Sequence, residues 1–481
     1  MNLTITLIVV LYMLMMLAIG YYSSKKISTN TDFMVAGRRL GPLLMAGTLA
    51  ATEIGGGSSL GVVANAYGSW GMSAAWYIIA MGIAFMILIP LAPKFRASNV
   101  KTVPEYFRRR YDKFSGGFSA IIMMMALVGL TAGQFKASAS ILEVMLGLDY
   151  TTSLVIVTIV ITVYAVMGGL WSVTLTDFIQ VFLIVIGMVI AIPFALNLAG
   201  GWSTIKQTVP AEHLSLTKGI GGWGQIAGFV IMYVATFSVG QEAVSRYYAA
   251  RDGKAAVQGS ILAAIVNFVF AFIPVILGLA MLSLFNQNLL DATVVDALKN
   301  NSRYALPVLA VATMPAVVTG ILFAGIISAT MSSADSDLLG AGSIFGNDVY
   351  KIFIRKGAKD QEVMLVTKIT MVVVALFSLV TALYANNILT LLAFSFTLRA
   401  AGTFVPYVMG HFWKKSSSAG SIASILIGSV VFFLMDTKVL PSIPKVNNII
   451  PALLISLIAF YAFSLIFPPK QQSFELLYEE E

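Results

Sequence analysis

Residues 46–61 read AGTLAATEIGGGSSLG, a mostly apolar stretch interrupted by three consecutive glycines, Gly55 to Gly57. Consecutive glycines are poor helix formers, and a break in a helix leaves backbone carbonyls without intrahelical donors. Inside a membrane, such backbone is tolerated only where it faces protein or a water-filled cavity, so an interrupted span points to a transporter binding site. The glycines also fit close helix packing through small residues. Glu53, just before the glycines, favours the binding site.

The composition of the whole chain indicates a membrane protein. Of its 481 residues, 58% are apolar and only 11% are charged, and the mean hydropathy is +0.88. Soluble globular proteins carry about 25% charged residues, so a soluble enzyme, a nucleic-acid-binding protein and a disordered scaffold are all disfavoured. We therefore predict an all-α polytopic protein of the cell (inner or plasma) membrane, with the lipid bilayer and not nucleic acid as its partner.

Rare residue types disfavour several kinds of site. The chain has no cysteine, which excludes disulfides, thiolate metal sites and a cysteine nucleophile. Its two histidines, His213 and His411, lie far apart in the sequence. No HExxH-type pair is present either. We predict that the protein is not an enzyme.

A membrane-spanning helix needs about 20 mostly apolar residues. The sequence contains about thirteen such segments and no stretch between them long enough for a soluble domain, so we predict one transmembrane domain over residues 1–481. The segments are 3–22, 41–67, 70–93, 117–147, 152–171, 174–199, 222–248, 256–286, 305–340, 363–385, 388–411, 417–436 and 447–467.

The loops divide into a basic-rich set and a basic-poor set, which predicts the orientation. The rich set holds Lys25, Lys26, Arg38, Arg39, Lys94, Arg96, Lys101, Arg108, Arg109, Arg110, Lys113, Arg246, Arg251, Lys254, Lys351, Arg355, Lys356, Lys359, Lys414, Lys415 and Lys470. The opposite set holds only Lys206, Lys218, Lys299, Arg303, Lys438 and Lys445. By the positive-inside rule the rich side is cytoplasmic, with the N-terminus outside and the acidic C-terminal tail, Glu479–Glu481, inside.

A small group of charged residues is left for the membrane interior, where charge is costly and therefore informative. These residues are Glu53, Lys136, Asp177, Glu242, Asp335, Asp337 and Arg399. We place Lys368 and Glu143 at helix ends and not in the interior.

Two further segments carry polar groups at membrane depth. The ninth helix contains FAGIISATMSSADSDLL, in which Ser328, Ser332 and Ser336 recur every four residues. Hydroxyls, carbonyls and one carboxylate suit a monovalent cation, although these serines also fit helix packing. The sixth helix begins GGLWSVTLTDFIQVF, where Asp177 is either part of a site or an N-terminal capping carboxylate.

Taken together, these segments resemble the sodium/solute symporter family. The motifs that carry the resemblance are FMVAGRRLGP (33–42), ATEIGGG (51–57), VPEYFRRRYD (103–112), GGLWSVTLTDFIQVF (168–182), ATMSSADSDLL (329–339) and GNDVYK (346–351). The resemblance covers 33 to about 415 and implies a LeuT-like core of two inverted five-helix repeats. The repeats would be 41–199 and 222–411, with an extra N-terminal helix at 3–22 and two peripheral helices at 417–467. The seventh helix would then be a second broken span, interrupted near 236–240.

The resemblance also implies Na⁺ as the coupling ion. Its ligands would be the carbonyls of Ala51, Ile54 and Ala329 with the hydroxyls of Ser332 and Ser333. Some members have a further sodium site, which here would use Thr176, Asp177, Ser332, Asp335 and Ser336.

The local motifs look closest to the choline-transporter branch, whose quaternary ammonium needs an aromatic cage. The positions that supply tryptophans in that branch are Glu53, Lys136 and Gly240 here, so the cage is missing. Glu53 and Lys136 either pair with each other or separate to receive the two ends of a zwitterion. The predicted substrate-binding residues are Glu53, Gly56, Gly57, Trp76, Tyr77, Lys136, Gly240 and Gln241. Trp70 is equally compatible with an interfacial aromatic belt.

The sequence thus predicts a sodium-coupled symporter that imports a small polar organic solute by alternating access. A zwitterionic amino acid or a small carboxylate fits best, and a cationic amine or choline-like compound is the alternative. An ion channel is the alternative outside the transporters. We expect a monomer to be sufficient for transport.

Overall fold

The computed structural model describes residues 2–25, 29–444 and 446–469. Several charges used for the predicted orientation, Lys26, Lys445, Lys470 and Glu479–Glu481, lie outside these residues. Within the described residues the secondary structure is helical apart from one isolated β-bridge between Leu40 and Ala250.

The described residues form 21 α-helices, numbered here in chain order. The first eleven are α1 Leu3–Ser24, α2 Asn30–Val35, α3 Pro42–Glu53, α4 Val62–Tyr67, α5 Ala75–Ile87, α6 Ala92–Ala97, α7 Val103–Arg110, α8 Lys113–Leu146, α9 Tyr150–Leu198, α10 Gly201–Thr208 and α11 Trp223–Val239. The others are α12 Gln241–Ala249, α13 Gly253–Phe270, α14 Ile273–Asn286, α15 Ala292–Asn300, α16 Ala305–Thr313, α17 Ala316–Ile344, α18 Asp360–Tyr384, α19 Ile388–Gly410, α20 Ser418–Asp436 and α21 Ile449–Ile466.

Long helices begin at short polar side chains that accept a hydrogen bond from the first helical turn. The caps of α8, α9 and α13 are Asp112, Asp149 and Asp252, which accept from the backbone N–H three residues later at 2.8, 3.0 and 2.8 Å. Asn387 caps α19 in the same way at 3.1 Å. These caps satisfy N–H groups that have no partner inside the helix, so they fix where each apolar helix starts.

Eight helical stretches of the described chain are long and apolar enough to cross a membrane, or nine if α11 and α12 form one bent span. The predicted thirteen segments are more numerous for identifiable reasons. The segments 152–171 and 174–199 both lie in α9 and count there as one stretch, although Gly169 interrupts it. In two others the apolar helical part, Leu3–Ile19 of α1 and Gly71–Ile87 around α5, is at most 17 residues long, and the segment 41–67 is divided between α3 and α4.

Glycine at position 169 separates the two predicted segments within α9. Its φ of 52° and ψ of −167° lie outside the helical region, in a conformation that is accessible to glycine. The break falls a few residues before the predicted boundary. It also places Asp177 two turns inside the following helical stretch, so the interpretation of Asp177 as a capping residue was wrong.

Both predicted helix interruptions are confirmed. The first apolar span stops at Glu53 and resumes as a π-helical turn, Gly57–Gly61, that leads into α4. The second bends by 54° between α11 and α12, at Gly240. A bilayer tolerates such breaks only where protein or water satisfies the freed backbone groups, so each break marks a place to search for polar partners.

The basic-rich loops interlock at one face of the bundle, called here the basic face. Arg38 donates to the carbonyl of Asn99 at 2.7 Å, and Arg96 donates to the carbonyl of Ala250 at 2.7 Å. Arg110, counted above as a loop charge, is buried and donates to the carbonyls of Gly410 and Trp413, each at 3.0 Å. The motif VPEYFRRRYD therefore fastens α7 to the end of α19.

We expect Gly169→Ala to destabilise the protein by at least about 2 kcal/mol, because the backbone conformation is strained for alanine and the new Cβ meets Phe33 Cδ2 at 2.6 Å. Gly147→Ala is the matched control: Gly147 also has a positive φ, of 67°, but no atom lies within 4 Å of its Cβ position. The control substitution should lower the free energy of unfolding by only about 1 kcal/mol. Thermal unfolding of the purified variants in detergent measures both, and equal losses would contradict the steric argument.

Candidate functional site

The break after Glu53 contacts α17 through one serine hydroxyl. Ser333 Oγ lies 2.7 Å from the carbonyl oxygen of Thr52 and 3.2 Å from that of Ala329, so it bridges the two helices. Among the described residues, none donates a hydrogen bond to the carbonyls of Ala51 or Ile54. Buried carbonyls without donors are the groups that a bound cation would satisfy.

The glycines are needed here for close approach. A Cβ on Gly55 would overlap Ser333 Oγ and lie 2.8 Å from Gln134 Oε1. The same Gln134 oxygen accepts from the backbone N–H of Gly56 at 2.7 Å. A Cβ on Gly57 would lie 2.7 Å from the hydroxyl of Tyr77. The break is therefore in contact with α8, α17 and α5 at once.

Glu53, the last residue of α3, has a buried carboxylate with an unsatisfied oxygen. Its side chain is 6% exposed, and its Oε1 has no hydrogen-bond partner. The charges that act on it include those of Glu242, Arg399 and Arg246. An unpaired buried carboxylate costs several kcal/mol, so this oxygen is suited to a cationic ligand.

Asp177 is the centre of a second cluster. Its carboxylate accepts hydrogen bonds from the hydroxyls of Thr48 and Ser332 and pairs with the guanidinium of Arg246 at 3.2 Å. Arg246 also donates to Ser336 Oγ at 2.6 Å. A resident guanidinium thus lies among the residues predicted to hold a second sodium ion.

The other predicted residues of that second site are arranged differently. Asp335 is fully buried, and its Oδ2 has no hydrogen-bond partner. The hydroxyl of Thr176 bonds the carbonyl of Ser172 at 2.9 Å and accepts from Tyr164 at 2.5 Å. Thr176 therefore points away from the carboxylate of Asp177.

Arg399 holds the second broken helix together. Its guanidinium forms a two-pronged ion pair with Glu242, with one of the two bonds at 2.6 Å, and its Nε donates to Thr236 Oγ1 at 2.7 Å. Thr236 lies on α11 and Glu242 on α12, so one buried arginine connects both sides of the break at Gly240. Planar two-pronged pairing of this kind is specific to arginine.

These buried side chains include more acidic than basic groups. The acidic members are Glu53, Asp177, Glu242, Asp335 and Asp337, and the basic members are Arg246 and Arg399. Arg246 pairs with Asp177 and Arg399 with Glu242, so the remaining acidic groups make this region better suited to a cation than to an anion.

A cavity of about 510 Å³ opens from the face opposite the basic face and ends near Tyr77. Its wall includes Trp70, Tyr77 and Phe229, and the ring of Tyr77 packs on those of Phe229 and Tyr233 at 6.0 and 5.5 Å. The hydroxyl of Tyr77 lies 2.7 Å from the position that a Cβ on Gly57 would take. Tyr77 therefore connects the wall of the cavity to the break.

Three predicted substrate-binding residues lie away from the break after Glu53. Trp76 donates to the carbonyl of Leu216 at 2.9 Å and packs on Trp223. Gln241 accepts from the N–H of Val103 at 2.8 Å and donates to a carbonyl of the basic-face loop. Lys136 donates to Tyr150 at 3.2 Å, so the ion pair considered for Glu53 and Lys136 does not form. Their separation arises from helix packing, since α8 turns Lys136 away from the break.

Arg246 is the main functional candidate that sequence reasoning misplaced. It was assigned to a cytoplasmic loop with Arg251 and Lys254, but it is 1% exposed. The available signal was its place four residues after Glu242, on the same face of a helix that follows a break. Gln134 and Thr48 were missed as well, because neutral polar side chains in apolar helices are common.

Residues 33–428 match the profile described as the Sodium:solute symporter family. The chain belongs to this family. Among curated members, the osmoregulated proline transporter OpuE of Bacillus subtilis is 25% identical, over 95% of this chain and 93% of its own length. The sodium/pantothenate symporter of Haemophilus influenzae is 26% identical over 96% of each chain.

A solved structure confirms the fold of this sodium:solute symporter family member. The chain matches a Na⁺-coupled sialic acid symporter with a TM-score of 0.83 and 22% identity, over 98% of this chain and 99% of that one. The prediction of an all-α polytopic protein with a LeuT-like core is thereby confirmed. The boundaries given above for the two repeats stay predictions.

We expect Arg399→Met to lower the free energy of unfolding by about 3–5 kcal/mol, because it leaves the carboxylate of Glu242 buried without its partner. The double variant Glu242→Gln/Arg399→Met removes both charges and should recover much of the loss. Chemical unfolding in detergent compares the two. A double variant no more stable than the single one would show that the pair is not what stabilises the break.

Proposed function

We propose that this protein is a sodium-coupled symporter that imports a small polar solute carrying a protonated amine, with a zwitterionic amino acid as the first candidate. The observation that carries the proposal is the unsatisfied carboxylate of Glu53 beside the broken helix. Relatives named as proline transporters agree with an amino acid. A relative named as a pantothenate symporter keeps a small carboxylate as the alternative.

The sodium ion is assigned to the junction of α3 and α17. The oxygen set is the predicted one: the carbonyls of Ala51, Ile54 and Ala329 with the hydroxyls of Ser332 and Ser333. The free carbonyls of Ala51 and Ile54 and the bridging position of Ser333 support it. Such an oxygen set, without a dedicated cluster of carboxylates, suits an ion that must be released on each cycle.

We assign one sodium ion to each cycle. Arg246 already supplies a positive charge beside Asp177, where the second ion was predicted, and its guanidinium bonds both Asp177 and Ser336. A second cation at the same carboxylate would face the repulsion of this buried arginine.

The solute is assigned to the other side of the same break. Its amine would meet the carboxylate of Glu53. Its carboxylate would meet the N-terminal end of the second half-helix at Gly57, where the hydroxyl of Tyr77 lies close. Half-helix N-termini of discontinuous spans favour anionic groups in this way.

The orientation is assigned from the charge bias of the loops, with the N-terminus outside and the C-terminus in the cytoplasm. The bias persists when the buried Arg110 and Arg246 are left out. The 510 Å³ cavity then faces outward, as import requires. We expect a monomer in the bilayer to be sufficient.

Two alternatives have distinct signatures. A cationic amine without a carboxylate would bind Glu53 alone and would not need the Gly57 end of the half-helix. An ion channel would pass current without a solute. A thermal-shift screen of amino acids, carboxylates and amines, with sodium present and absent, identifies the solute because a ligand stabilises the state that binds it.

We expect Ser333→Ala and Ser332→Ala to raise the sodium concentration for half-maximal uptake into proteoliposomes by about tenfold, since each removes a hydroxyl ligand. The wild-type sodium dependence should be hyperbolic if one ion is bound. Ser343→Ala, a buried serine of the same helix, is the control and should leave it unchanged. Unchanged sodium activation in both variants would refute the assigned ligands.

We expect Glu53→Gln to weaken binding of the identified solute by about 10–100-fold, because it removes one charge-assisted contact without changing the side-chain shape. Stabilisation by sodium alone should remain. Glu212→Gln, at an exposed position, is the matched control. Calorimetry on the purified proteins compares the affinities, and a wild-type affinity in Glu53→Gln would remove Glu53 from the solute site.

A further inference from the structure

A second, much smaller pocket lies beside the outward cavity and is lined by two basic side chains. It has a volume of about 10 Å³, which is room for one water-sized particle. Two of its lining residues, Asn65 and Asn387, also line the large cavity. We name it the cationic pocket, and its lining includes Gly61, Lys136, Asn301, Ser302, Arg303 and Asn386.

Two basic side chains at this pocket share one acidic neighbour. The ammonium of Lys136 lies 4.8 Å from the ring centroid of Tyr150, and the guanidinium of Arg303 lies 4.4 Å from it. Glu143 is 3.4 Å from Arg303 and accepts from the hydroxyl of Tyr304 at 2.8 Å. One carboxylate therefore offsets one of two cations, and a single positive charge is left over.

Several hydrogen-bond donors in and around the pocket lack an acceptor. Lys136 is 3% exposed and makes one hydrogen bond, to the hydroxyl of Tyr150, whereas an ammonium carries three N–H donors. Arg303 Nε is buried and has no partner. Each unused donor in a buried site costs free energy unless an acceptor is present.

The amides at the pocket also point to an acceptor. The side-chain oxygens of Asn301 and Asn387 already accept backbone hydrogen bonds, from Arg303 and Thr390, each at 3.1 Å. Their NH₂ groups are the remaining polar parts and are donors. A pocket of donors with one excess positive charge recognises a monovalent anion.

We propose that the cationic pocket binds one small monovalent anion of the size of chloride. The pocket is too small for an amino acid, so this site is separate from the solute site at Glu53. The bound anion would join α4, α8 and the segments that precede α16 and α19, next to the wall of the outward cavity. Lys136 then serves anion binding and not solute recognition.

The test is thermal unfolding of the purified wild-type protein at constant sodium, with chloride, bromide, acetate or gluconate as the anion. Chloride and bromide should raise Tm above its value in gluconate by about 2 °C or more, with saturation. Acetate should act more weakly. Equal Tm in chloride and gluconate would overturn the proposal, and so would an acetate effect as large as that of chloride.

Variants of the lining residues test whether chloride stabilises the protein by binding in the cationic pocket. Lys136→Met should raise the chloride concentration for half-maximal stabilisation by at least about tenfold, because it removes the leftover charge. Lys206→Met, an exposed lysine on the same face, is the matched control. If Lys136→Met does not fold, Arg303→Gln tests the same pocket. A chloride effect equal to wild type in the folded variant would refute the site, and no solute is needed for any of these measurements.

Discussion

The requirement that every buried backbone group find a partner governs this molecule. The helix α3 ends at Glu53, Ile54 leaves helical geometry, and regular helix resumes only at Gly57, which frees carbonyls on one side of the break and N–H groups on the other. Gln134 and Ser333 satisfy part of this demand from α8 and α17. The carbonyls of Ala51 and Ile54 are left for an ion. The proposed coupling-ion site is thus the part of the hydrogen-bond network that the protein leaves unsatisfied.

At the second break, two buried arginines provide partners for buried carboxylates and for a hydroxyl group. Arg246, on α12, reaches Asp177 on α9 and Thr48 on α3, at 3.2 and 3.1 Å. Arg399, on α19, reaches Glu242 and Thr236 on the two sides of Gly240. Each guanidinium offsets a carboxylate whose isolated burial would cost several kcal/mol. Both arginines therefore fix α12 relative to its neighbours, and the surplus carboxylates stay available for cations.

Features that depend on local sequence were predictable, and features that depend on packing direction were not. The break near Gly55 was predictable from the three consecutive glycines, and the break near Gly240 from its position in the family's helix order. Lys136 and Arg246 were misplaced because sequence gives depth in the membrane but not the side of the helix that faces the centre. Lys136 lies on the side of α8 that faces away from the break and Glu53. The bend at Gly240 places Arg246 in the interior, although the sequence around it resembles a loop. The interior charges were found as a group, but their pairing required the fold.

Coupling of ion and solute follows from the shortness of the broken segment. The carbonyls proposed for sodium and the N-terminal end proposed for the solute are separated by only a few residues, 51–57, so ordering one side restricts the other. A sodium ion that fixes the carbonyls of α3 lowers the entropy that the solute must overcome at Gly57, and thermodynamic reciprocity requires the converse. Tyr77 lies beside Gly57 and also lines the 510 Å³ cavity. If both proposed sites are right, the same few residues contact the ion, the solute and the wall of the cavity, which is the minimum that alternating access with coupling demands.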